Sequence, residues 1–199
     1  MVRKTPGGGI REVWGIACGP QECEASNPVK SKMVLTKAEL ISSLQHEVQI
    51  LVHLCGKVPP EMIDYRPTPK QRSTIELLRY LAALGRGMVP LIQAGEQQVE
   101  QWGILEKQVA AMDFDAVVKS LEALSPFYAE AVGAFSDEEL RRDLAFGPNA
   151  GKVSCGKTLV DYVLCIHAAY RTQLFCYLKA CGREELNTQN LWAAVDGKM

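Results

Sequence analysis

The stretch His167-Ala-Ala-Tyr-Arg171-Thr-Gln173-Leu-Phe-Cys-Tyr177-Leu-Lys-Ala-Cys-Gly182 carries the periodicity that decides the fold. Extended back toward Lys157, it spaces Leu159, Tyr162, Val163, Ile166, Tyr170, Leu174, Tyr177 and Cys181 along one helical face, and Gly182 supplies a stop. The spacing predicts a long final helix over 157–181.

The same logic runs outward. Thr36-x-x-Glu39, Ser73-x-x-Glu76 and Ser136-x-x-Glu139 are capping boxes, in which hydroxyl and carboxylate satisfy orphan N–H groups at a helix start. The first opens a helix over 37–55 with Leu40, Leu44, Val48, Leu51 and Cys55 in register and Gly56 as a left-handed stop; Pro59-Pro60 forbids continuation. The second opens a helix striped with Leu77, Leu81, Leu84 and Met88, and Gly85, Gly87 and Pro90 predict a kink or break near 85–90. The stretch 96–112 reads as a helical or irregular connector. Asp113 or Asp115 caps a third helix running to Gly133, with Val117, Leu121, Leu124, Tyr128 and Val132 buried and a kink at Pro126; a short helix follows at Asp137–Leu144. Residues 147–151 are loop chemistry. Strand signals are almost absent, so the expected fold class is all-α, with four main amphipathic helices in an antiparallel bundle.

Residues 1–32 hold a triple glycine and scattered prolines without sustained period, and read as a flexible N-terminal extension; the pattern changes at Met33, a candidate true start, so the expected domain is 33–199. The net charge of −1 and pI of about 6.3, with Lys and Arg scattered, argue against nucleic acid as a partner. No apolar run approaches the ~20 residues of a membrane span and no signal-peptide pattern opens the chain, so a cytoplasmic protein without membrane association is expected. Seven cysteines include no CxxC pair. Cys165 and Cys176 read as small buried hydrophobes and reduced thiols.

Three segments taken together resemble the DinB-like (DinB/YfiT) superfamily over about 33–190: Val58-Pro59-Pro60-Glu61-Met-Ile-Asp64-Tyr65-Arg66-Pro67, Arg72-Ser73-x-x-Glu76-Leu77-Leu78, and Arg171-Thr-Gln173-Leu with Tyr177-Leu-x-x-x-Gly182. The resemblance implies a four-helix bundle with a long connection between helices 2 and 3, often a dimer, and in many members one divalent metal at the open end held by three histidines. Placed residue by residue, those histidines fall on Tyr80, Ile166 and Tyr170, so the resemblance implies a member whose metal site is replaced.

His167 stands one residue from a family ligand position. A one-residue step turns a side chain ~100° around the helix, so it reads as a hydrogen-bonded histidine at the core edge, and as a metal ligand only after a local backbone change. Tyr80 and Tyr170 read as aromatic filling of the vacated pocket, their hydroxyls bonded to each other, to His167 or to Gln173. Glu76, Arg171 and Gln173 are candidate polar supports; the motif also singles out Arg66 and Arg171, and Arg171 beside the inward face reads as a structural pair tying helix 4 to the Asp64–Pro67 loop or a helix terminus, with recognition of an anionic substrate as the alternative. His46 and His53 point away from the stripe of the first helix, toward solvent or a partner subunit.

The expected function is a metal-free binding or interaction bundle with no cofactor, whose partners are a second copy in a homodimer and a small-molecule ligand. The apolar residues of 96–112, Trp102 above all, lack a place in a four-helix core and motivate the dimer. The alternatives are a divalent-metal- or thiol-dependent transferase or isomerase, with Zn or Ni as its metal, and a purely structural dimerisation module.

Overall fold

Each capping box opens a helix. In the computed structural model, which describes residues 35–95, 99–146 and 151–197, the Thr36 side chain accepts from the Glu39 N–H while the Glu39 carboxylate takes the Thr36 N–H, and α1 runs Lys37–Cys55. Ser73 and Glu76 repeat the arrangement before α2 (Thr74–Ala94), and Ser136 and Glu139 before α6 (Asp137–Arg141). Asp113 caps α4 (Phe114–Glu122) by accepting from Ala116. The proposed extension 1–32, Met33, Cys18, Cys23 and residues 147–150 lie outside the described residues.

Four rods make the bundle: α1, α2, the pair α4 and α5 (Leu124–Gly133), and a last rod built from α7 (Cys155–Leu159), a π-helical turn at Val160–Leu164 and α8 (Cys165–Ala180). The core between them is leucine-rich, with Leu44, Leu54, Leu77, Leu81, Leu121, Leu124, Val163, Leu174 and Leu178 all fully buried. The long connection from α2 to α4 is occupied by α3 (Val99–Ala110), which packs on α2. A short α9 (Thr188–Ala193) returns across α1 and α8. These elements belong to one compact unit, Leu35–Met199. Among the described residues no helix is long and apolar enough to cross a membrane.

Several expectations are corrected. α2 continues through Gly85, Gly87 and Pro90. The glycines serve close packing: a Cβ on Gly85 would sit 2.5 Å from Leu124 Cδ1 and 2.8 Å from the Tyr128 hydroxyl, and one on Gly87 2.5 Å from Leu105 Cδ1. Pro90 lies on the exposed side of the helix. The third rod breaks at Ala123, because Pro126 has no N–H to offer the Glu122 carbonyl. Gly56 ends α1 in a right-handed conformation, φ −64°, whereas Gly182 closes the last rod at φ 88° as expected. The short helix stops at Arg141, and β1 (Asp143–Leu144) pairs antiparallel with β2 (Val153–Ser154), Asp143 facing Ser154. Cys165 and Cys176 are exposed, on the outer face of α8.

Candidate functional site

The buried stripe of the last rod is Leu159, Val163, His167, Arg171, Leu174 and Leu178, rather than the face through Ile166 and Tyr170. Steps of four residues overshoot an α-helical turn by about 40° each. The π-helical turn at Val160–Leu164 lies within the run of three such steps and adds a residue to the turn there, which brings His167 onto the core side. Tyr80, Ile166 and Tyr170 are half-buried beside this stripe.

Tyr80 on α2 and Tyr170 on α8 meet across the bundle, ring centroids 5.1 Å apart. Trp102 of α3 meets Tyr80 edge-on at 5.9 Å, so the tryptophan that sequence left without a place packs within its own chain. The Arg72 guanidinium, just before the Ser73 cap, lies over Tyr80 at 4.1 Å from its centroid and 6.0 Å from that of Tyr170. Burial and then Tyr170 raise the Tyr80 pKa, with Arg72 pulling it down, and the group is a neutral phenol.

The other predicted residues go elsewhere. His167 is fully buried and shares a 2.6 Å hydrogen bond between its Nε2 and the Tyr128 hydroxyl. Its Nδ1 has no partner among the described residues, and burial pushes its pKa down to about 4. Glu76 is spent on the Ser73 N–H and on Arg66, 2.9 Å away, which holds its pKa below the usual carboxylate range. Gln173 donates to the Tyr177 hydroxyl at 2.5 Å, and Tyr177 donates to the Arg72 carbonyl at 2.9 Å.

Arg171 pairs with Glu47 of α1, Nε to Oε2 2.6 Å, and not with the 64–67 loop. It also donates to the Leu191 carbonyl and lies 5.0 Å from the Trp192 ring. His46 and His53 face this same C-terminal segment: His46 Nε2 bonds the Trp192 carbonyl at 2.9 Å, and His53 lies near Asn190 and Asp196. They therefore meet α9 of their own chain.

Arg72, Glu47 and Tyr128 were not singled out as site residues. Glu47 follows Leu44 by three residues on the buried side of α1 and so had a spacing signal, whereas Arg72 lies before the Ser73 cap, outside the helix that carries Tyr80, and had none. The partnership of Tyr128 with His167 depends on how two rods cross, which no local pattern encodes.

The positions that the resemblance assigns to metal ligands hold two phenols and an alkyl chain, with a guanidinium over the Tyr80 ring. Zinc and nickel sites are built from imidazole, thiolate or carboxylate donors, and this set does not fit them. Among the described residues no three His, Cys, Asp or Glu side chains come together.

The all-α bundle, with its four rods and long α2–α4 connection, shares the fold of a solved DinB-like protein. The chain is similar to the solved structure of a DinB-like protein, YjoA, from Bacillus subtilis: TM-score 0.57, 19% identity, 75% of this chain and 95% of that chain covered. No protein-family model matches the chain, and no curated protein does.

Proposed function

We propose that this chain is a DinB-like bundle that works without a resident metal, as a binding module whose ligand meets the bundle where Tyr80 and Tyr170 face each other. The observation that supports this reading is the cluster itself: two tyrosines at the positions of expected ligands, in contact at 5.1 Å and covered by the Arg72 guanidinium. A fixed positive charge opposes a divalent cation by simple repulsion. A two-fold homodimer is the assembly proposed with it, the exposed Ile104 of the α3 connector supplying apolar area; a monomeric mass by light scattering at micromolar concentration would contradict it.

The test is restoration. In a background carrying Arg72→Ala, the triple replacement Tyr80→His, Ile166→His and Tyr170→His is expected to gain thermal stability with Ni²⁺ or Zn²⁺. The parent is expected to gain none. Chelator-removable stoichiometric metal in the parent would favour the transferase or isomerase reading instead.

A further inference from the structure

Arg72 is the exposed member of the aromatic cluster, and its position is prepared from beneath. Gln173 donates to Tyr177, and Tyr177 donates to the Arg72 carbonyl, so the backbone carrying the guanidinium is tied to α8. The side chain rests on the face of Tyr80 with Tyr170 beyond it. Stacking engages the guanidinium through its plane and leaves the N–H groups at its edge free to donate. Among the described residues no hydrogen bond or ion pair takes those donors. Of the carboxylates around the cluster, Glu76 accepts its hydrogen bonds from Arg66 and the Ser73 N–H while staying within electrostatic reach of Arg72, and Glu106 of α3 acts on Tyr80.

We propose that Arg72 is an oxyanion anchor, receiving the carboxylate or phosphate group of a small molecule at the end of the bundle. This rests on the metal-free reading, and in it a cation of the chain lies over Tyr80, one of the positions expected to hold a metal ligand. The fork of guanidinium donors matches two oxygens of one group, so the recognition is bidentate. Tyr80 acts as the platform that holds the plane of the guanidinium, and Gln173 and Tyr177 are positioning residues acting through the Arg72 backbone.

The test titrates benzoate, acetate and inorganic phosphate separately into the full chain, following by NMR the Ser73 and Thr74 backbone amide resonances, which parent and variants share, and in the parent the Arg72 Nε–H resonance as well. At least one of the three is expected to shift those resonances saturably. Arg72→Ala, an exposed substitution checked for unchanged helicity, is expected to weaken the same probe about tenfold or more, and Arg72→Lys to restore binding only in part, since an ammonium cannot fork. Tyr80→Phe keeps the ring and is expected to bind as the parent does. Benzoate or acetate alone would assign a carboxylate ligand, and phosphate alone a phosphorylated one. No saturable shift with any probe, or equal affinity in Arg72→Ala, would overturn the proposal. Either result would leave the metal-free reading standing, because that reading fails only if the parent binds metal.

Discussion

Two buried polar pairs set the chemistry of the core at the scale of single residues. The His167 imidazole takes up a proton near 6.5 when unfolded and only near 4 when folded. Between those values the unfolded chain holds the extra proton, so this contribution is whole above pH 6.5 and falls away as pH drops toward 4. The slope is at most about 1.4 kcal/mol per pH unit. Replacing both partners, Tyr128→Phe with His167→Leu, removes the hydrogen bond without stranding either group. Urea unfolding between pH 7 and 5 is expected to show a steeper pH dependence in the parent than in the double variant, where His53, whose pKa burial also lowers, still contributes; equal slopes would contradict the assignment. Arg171 and Glu47 behave differently, because Arg171 is 1% exposed and Glu47 12%. Glu47→Ala leaves a guanidinium buried without its counter-charge and is expected to cost about 3–5 kcal/mol, read by urea unfolding at neutral pH.

The capping boxes at Thr36, Ser73 and Ser136 were legible at the scale of elements, because each is a local exchange of hydrogen bonds three residues apart. The apolar stripes of α1, α2 and the third rod were legible for the same reason. Gly85 and Gly87 misled, since a glycine required by a neighbouring rod looks in sequence like one required by a bend. Gly85→Ala is therefore expected to destabilise by about 1–3 kcal/mol despite alanine's better helix propensity, its Cβ falling 2.5 Å from Leu124. Gly103→Ala in α3 meets nothing within 4 Å and is expected to stabilise by up to about 1 kcal/mol. Thermal unfolding of the two variants checks the contrast, and a stabilised Gly85→Ala would refute the packing role. The π-helical turn was not legible: it changes which face is buried without changing composition, and it moved His167 and Arg171 inward while Ile166 and Tyr170 stayed at the margin. The candidate site was thus readable as positions, while Tyr128 on His167 came from two rods crossing and Arg72 over Tyr80 from the turn that leads into α2.

The C-terminal segment is a strap at the scale of the whole molecule. α9 gives its Trp192 carbonyl to His46 and its Leu191 carbonyl to Arg171, and Asp196 beyond it pairs with Lys57 at 2.7 Å. Truncation before Asn187 is expected to lower the melting temperature, and its cost combined with Glu47→Ala is expected to be non-additive, because both act on Arg171. Additive losses would show that the strap is independent of the ion pair. The larger claim is that the DinB-like frame is kept while the cation at its end belongs to the chain. A tight ligand raises apparent stability by about 2.7 kcal/mol at one hundred times its Kd, so thermal unfolding of the parent with Zn²⁺, Ni²⁺ or Mn²⁺ tests that claim most directly. The account predicts a melting temperature unchanged by each ion; a stabilisation that saturates at one ion per chain and is reversed by chelator would contradict it.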